Sequence, residues 1–164
     1  MRKIYVSLLG FLLGAAGLSN FAVSQDSRTL ANTVVTATDR SPEDRALDAG
    51  RKPAELLAFL GIQPGWRVAD LGAGRGYTTE LLQRAVGSDG LVYGQNSKAL
   101  LEKFLEKPWS ARLAKPVMKG VVRLDRDFDD PFPGNLPSLD ASASFSACSG
   151  VTCSVTALTL FASR

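Results

Sequence analysis

Trp66-Arg67-Val68-Ala69-Asp70-Leu71-Gly72-Ala73-Gly74-Arg75-Gly76 is the stretch on which the fold turns. Its first six residues follow the turn Pro64-Gly65 and read as a short strand. Three glycines at alternate positions then let the backbone turn sharply and let another molecule approach it closely. A helical pattern begins at once, with Tyr77, Leu81 and Ala85 at four-residue spacing, Leu82 and Val86 alongside, and Gly87 as its close. Strand, glycine turn and helix in that order bring the free N–H groups of the helix's first turn to the glycines, a cradle of the nucleotide-binding type.

Working outward toward the C-terminus, Ser88-Asp89-Gly90 makes a turn into a second strand, Leu91-Val92-Tyr93, which ends at Gly94-Gln95-Asn96. An amphipathic helix is predicted from about Lys98 to Lys107, with Leu100/Phe104 and Leu101/Leu105 on its buried side and Pro108 as its stop. Val121-Val122-Arg123-Leu124 is a third strand candidate, and the acidic, proline-broken segment Asp125 to Pro133 follows it. On the other side of the glycines, Ser41, Pro42 and Asp44 form a capping pattern for a short helix. A second helix starts at Pro53, with Leu56, Phe59 and Leu60 on one face to cover a sheet and Gly61 as its cap. Strands alternating with helices predict an α/β fold, a Rossmann-like open parallel sheet with helices on both faces, whose ligands bind beyond the C-terminal strand ends.

The glycine spacing separates possible ligands. A nicotinamide-binding turn usually reads G-x-G-x-x-G, and a phosphate-binding lysine loop needs Gly-Lys-Ser/Thr, which is absent here. Asp70-Leu71-Gly72-Ala73-Gly74-Arg75-Gly76 instead resembles the D-x-G-x-G-x-G signature of class I S-adenosylmethionine-dependent methyltransferases, and the resemblance extends over roughly Ser41 to Ala141. It is nearest to an exported branch of predicted methyltransferases. The resemblance implies S-adenosylmethionine as cofactor and methyl donor, with Asp70, Gly72, Ala73, Gly74 and Gly76 around its amino-acid portion. In that family an acid at the end of the second strand bonds the ribose; here Gln95-Asn96 holds the place, and Asn96 is the candidate, with ordinary turn formation as the plainer reading. An acid near the end of the third strand usually meets the adenine amino group; Asp125 and Asp127 both qualify, and the residues alone do not choose between them.

Composition sets further bounds. With 45% hydrophobic and 21% charged residues the chain is of ordinary globular type. Histidine is absent, which excludes Ser-His-Asp and Cys-His catalysis, His-ligated zinc and a His general base. Methyl transfer survives that exclusion, because the donor is already activated and the site mainly supplies alignment. No catalytic residue or metal ligand is nominated, and the methyl acceptor is not identified. Met1-Arg2-Lys3 ahead of the apolar run Ile4 to Leu18, with Ala22-Val23-Ser24 after it, reads as a signal peptide cut before Gln25, and so as a periplasmic or secreted protein; a membrane anchor is the weaker alternative. Losing Arg2 and Lys3 and no acid lowers the formal charge from +3 to +1, too weak a field to predict nucleic acid as a partner.

The domain reading is therefore a signal peptide at 1–24, an extended N-terminal arm at 25–40, a partial cofactor-binding domain at 41–141 and an atypical Ser/Ala/Thr-rich tail at 142–164. Leu139-Asp140-Ala141 looks like the start of a fourth strand, after which the buried aliphatic run of a complete fold does not come. A frameshifted or truncated end accounts for this; a tail that forms its own hairpin, with alternation from Val151 to Phe161, is the competing reading. Cys148 and Cys153 lie in that tail and are assigned no role. Two functional expectations follow: methyl transfer to an acceptor, or a catalytically silent module that binds the cofactor.

Overall fold

The structure, a computed structural model, describes the backbone of residues 15–145 and 155–158 and the side chains of residues 25–143. Met1-Arg2-Lys3, on which the signal-peptide reading rests, and the two cysteines fall outside the described residues. Four strands run parallel: β1 (Arg67–Leu71), β2 (Leu91–Asn96), β3 (Val121–Asp125) and β4 (Ala141–Phe145). A fifth, β5 (Val155–Leu158), pairs antiparallel with β4, giving the order β3-β2-β1-β4-β5. Crossovers run outward in opposite senses from β1, so the Rossmann-like open sheet has its switch point at the C-terminal end of β1, where the glycine turn lies. β4 crosses the boundary drawn at Ala141. Asp140 fixes its entry, accepting the Arg67 N–H on Oδ2 at 2.8 Å and donating its own N–H to the Arg67 carbonyl at 2.9 Å.

The segment expected to be an extended arm is helical. Helix α1 (Ala15–Val35) buries Ala31 and Val34 in the main core, with Leu57, Ile62, Val68, Leu81, Leu82, Val86 and Val92. Its polar face hid the pattern: Thr29, Thr33 and Thr36 each turn a hydroxyl back onto the carbonyl four residues earlier, which lets β-branched polar residues sit in a helix. Helices α2 (Pro42–Arg51) and α3 (Pro53–Leu60) follow, and the Ser41 hydroxyl accepts the Asp44 N–H at 3.1 Å as the capping pattern predicts. The buried face of α3 is not the predicted one. Leu57 is buried and Phe59 is 71% exposed, because α3 packs chiefly on α1 and not flat on the sheet.

Along each strand successive side chains face opposite ways. Val68 and Val92 face α1, α3 and helix α4 (Tyr77–Val86), while Ala69, Tyr93 and Leu124 face the other side, where Leu136, Leu139 and Phe132 of the long connection before β4 cover them.

After β2 the helix does not stop at Pro108. A short α5 (Lys98–Leu100) passes through a π-helical turn, Leu101–Leu105, into α6 (Glu106–Leu113). The extra residue of the π turn restarts the register, which puts Pro108 in the first turn of α6 where a missing N–H costs nothing. Of the two predicted apolar pairs, Leu101 is buried and Leu105 half-buried, whereas Phe104 is 70% exposed.

Candidate functional site

The glycine turn leaves the end of β1 with Gly72, Gly74 and Gly76 all at positive φ, 72°, 58° and 81°, so L side chains are disfavoured at each. The glycines serve different purposes. A Cβ on Gly76 would come within 2.5 Å of the Trp109 ring, and one on Gly94 within 2.8 Å of the same ring. These two glycines therefore make room for Trp109 of α6, which is fully buried. A Cβ on Gly74 would meet only the Gly72 carbonyl, at 3.9 Å, and otherwise open space. Gly74 faces open space, and its own packing does not call for a glycine.

β2 holds the turn in shape. Gln95 accepts the Gly72 N–H on Oε1 at 2.9 Å and the Ala73 N–H on its main-chain carbonyl at 2.8 Å, and its Nε2 donates to the Arg126 carbonyl at 2.5 Å. Asn96 accepts the Gly74 N–H on Oδ1 at 2.8 Å and donates from Nδ2 to the Gly74 carbonyl at 3.1 Å. The Gly76 N–H goes to the Ala73 carbonyl at 2.8 Å. The N–H groups of residues 72, 73, 74 and 76 are thus all occupied within the protein. Asn96 is the residue the sequence points to for the ribose; the only sign of Gln95 in the sequence is a polar side chain near the end of a buried strand.

Asp70, at the end of β1, is buried and takes the Thr79 hydroxyl on Oδ2 at 2.6 Å. Its Oδ1 has no hydrogen-bond partner among the described residues. Burial pushes the carboxyl up to about 7, with the Thr79 hydrogen bond opposing the shift. Such a side chain exchanges its proton near neutrality beneath the glycine turn, a property no motif discloses.

Behind the turn lies a charged cluster. Arg112 of α6 donates Nε–H to the Arg75 carbonyl at 2.7 Å and also holds Asp44 of α2, at 2.7 and 2.8 Å, and Glu80 of α4, at 2.6 Å. Glu80, 2% exposed, also takes Lys115 and Arg84, each at 2.9 Å. Burial alone would raise the Glu80 carboxyl, but these cations more than offset it and hold it below its ordinary range. On the opposite flank the Tyr77 hydroxyl donates to Asp48 at 2.6 Å, Asp48 holds Arg40, and the Arg51 guanidinium lies 4.8 Å from the centre of the Tyr77 ring.

At the ends of β2 and β3 a hollow of about 180 Å³ is lined by Lys98, Asp125, Arg126, Asp127, Asp129 and Asp130. Asp125 pairs in register with Asn96 and receives Arg123 Nε–H at 2.7 Å, whereas Asp127 is exposed on the rim. Glycine turn, Asn96 and Asp125 thus line up along the C-terminal ends of three adjacent strands. Among the described residues no group of His, Cys, Asp and Glu is arranged to hold a metal ion.

Residues 43–107 match the family described as protein-L-isoaspartate(D-aspartate) O-methyltransferase. That span runs from α2 to the start of α6 and contains β1, the glycine turn and β2. A solved protein-L-isoaspartate O-methyltransferase is similar at 22% identity over 56% of this chain and 27% of its own, with a TM-score of 0.47. A SAM-dependent methyltransferase from Aquifex aeolicus is similar at 23% identity over 52% of this chain and 46% of its own (TM-score 0.40). A SAM-dependent O-methyltransferase from Thermotoga maritima is similar at 21% identity over 73% of this chain and 51% of its own (TM-score 0.44). The chain spans about a quarter to a half of the length of these structures. No curated protein matches it.

Proposed function

We propose that the chain binds S-adenosylmethionine in the glycine cradle and serves methyl transfer to an acceptor. One observation carries the reading: a D-x-G-x-G-x-G turn at the switch point of the sheet, in which the middle glycine opens onto free space while the protein's own packing accounts for the third. The family match over residues 43–107 supports it and covers the donor side only, so no acceptor is carried over from the family.

In this reading Gly72, Ala73 and Gly74 border the amino-acid portion of the donor, and Gly76 acts through Trp109. Asn96 contributes by holding Gly74, since both ends of its amide are already engaged there. Asp125 and Asp127, at the hollow beyond β3, are the proposed neighbours of the adenine. The bound donor supplies a methyl group on a sulfonium, already activated for in-line displacement, and the chain's residues position it. Export also belongs to the proposal: Ala31 and Val34, the buried apolar residues of α1 among the described ones, lie downstream of Ser24, so cleavage before Gln25 spares them.

Isothermal titration of S-adenosylmethionine into the intact chain and into Gly74→Val tests the site. Binding to the wild type and its loss in a variant that keeps its far-ultraviolet circular dichroism is the expected result. Equal binding by both places the ligand elsewhere, and no heat with the wild type ends the reading.

A further inference from the structure

A donor of this class carries an α-carboxylate, and the turn offers it few amides, because the N–H groups of Gly72, Ala73, Gly74 and Gly76 are spent on Gln95, Asn96 and Ala73 and only that of Arg75 is left. A single amide leaves most of the anion to a side chain or to the first turn of α4. Most of the arginines around the turn are engaged: Arg40 holds Asp48, Arg84 holds Asp39 and Glu80, and Arg112 holds Asp44 and Glu80. Arg45 is bonded to the carbonyls of Ala37, Thr38 and Arg40. Two differ: Arg75, in the turn itself, and Arg51 are both exposed, with no carboxylate within ion-pair distance among the described residues. Of the two, Arg51 lies on the ring of Tyr77, the residue that follows Gly76. Tyr77 is itself locked, buried and bonded to Asp48, so it forms a fixed platform for the guanidinium.

The backbone fixes Arg51 there as well. Arg51 ends α2, and Lys52 after it adopts φ 46°, ψ 55° before Pro53, a left-handed conformation that is unfavourable for a lysine and that turns the chain sharply into α3. A cation with a planar fork of donors, held on an aromatic face and left without an acid, is suited to bidentate capture of a carboxylate.

We infer that Arg51 is the residue that recognises the α-carboxylate of the ligand in the glycine cradle, its guanidinium seated on Tyr77 beside the first turn of α4. The inference rests on the methyl-donor reading and adds to it the group that distinguishes an amino-acid-bearing nucleoside from a bare one.

The test is titration of S-adenosylhomocysteine and of 5′-methylthioadenosine, which has the same nucleoside and sulfur but no amino-acid portion, into intact wild type, Arg51→Met and Arg51→Lys. Arg51→Met keeps an apolar stem on Tyr77 and removes the charge. It is expected to weaken S-adenosylhomocysteine about tenfold or more, the loss of one charge-assisted hydrogen-bonded pair, and to leave 5′-methylthioadenosine within about twofold. Arg51→Lys is expected to recover part of the loss. Unchanged affinity for S-adenosylhomocysteine in Arg51→Met, or equal loss for both ligands, overturns the inference; equal loss would make Arg51 a support for Tyr77. If the wild type binds both ligands equally well, the carboxylate is not recognised and the inference alone fails. If it binds neither, the methyl-donor reading fails with it.

Discussion

Asn96 grips Gly74 by both ends of its amide, accepting its N–H at 2.8 Å and donating to its carbonyl at 3.1 Å. A carboxylate at position 96 can do only the first of these. An acid there, the residue type the resemblance leads one to expect, would face the Gly74 carbonyl oxygen with an oxygen of its own. Asn96→Asp is therefore predicted to be no milder than Asn96→Ala, each costing about 1–3 kcal/mol, as expected when buried polar groups lose their partners. Urea denaturation of the two variants checks this, and an Asn96→Asp variant as stable as wild type would contradict the bracing role.

Gly94 and Trp109 are a packing pair that the sequence separates by fourteen residues and a π turn. Gly94→Ala is predicted to destabilise by about 1–3 kcal/mol, because the new methyl overlaps an aromatic ring in a closed core. Trp109→Leu makes room, so the double variant should lose less than the sum of the two single changes. Additive losses in thermal or urea unfolding would mean that ring and glycine do not share the space.

This pair also marks the limit of what the sequence discloses. The strand, glycine turn and helix from Arg67 to Val86, the second strand and the order of elements were legible because they obey local rules: period, turn chemistry and capping. The third glycine of the turn was legible as a glycine and not as to its cause, because the cause is Trp109, which falls between the helix expected to stop at Pro108 and the short helical stretch expected near Ala111 to Ala114. Helix α1 was missed for a related reason: Ala31 and Val34 are small, its threonines favour strands, and its burial comes from α3 and α4. The sequence showed Asp44 only as part of a helix cap, and it gave no sign of the cluster with Glu80 and Arg112, since nothing local brings positions 44, 80 and 112 together.

Asp70 gives the protein an unusual pH response. Its carboxyl is raised by burial from an ordinary 3.8 to about 7 in the folded chain. Between those values the native state holds a proton that the unfolded state has released, so stability falls as pH rises from about 4 to about 7 and then levels off. Asp39, Asp44, Asp48 and Glu80 are lowered and act the other way, losing their contribution as pH falls through their folded values in the acid range. Asp70→Asn, which keeps an uncharged side chain of the same shape, should flatten the limb between pH 4 and 7 and leave the acid limb in place. Urea midpoints across pH 3–8 distinguish the two, and a wild type with no decline above pH 4 would show that Asp70 ionises freely.

Arg112 and Glu106 offer a contrast between buried and exposed charge in the same helix. Arg112, whose side chain is 14% exposed, joins Asp44, Glu80 and the Arg75 carbonyl, so removing it strips one cation from two buried carboxylates and one hydrogen bond from the glycine turn. Arg112→Met is predicted to cost about 3–5 kcal/mol, the range for breaking a buried pair and leaving its partner uncompensated. Lys115 remains on Glu80, so Asp44 bears most of the deficit, and Asp44→Asn in the Arg112→Met background should restore part of the loss. Glu106 pairs with Arg123 at the surface with its own side chain 55% exposed, and Glu106→Gln is expected to leave the unfolding midpoint unchanged, because solvent and salt screen such a pair. Unfolding in low and in 0.5 M salt separates them: the Arg112 effect persists in both, and one that disappears in salt would move the Asp44–Arg112–Glu80 cluster from the interior to the surface.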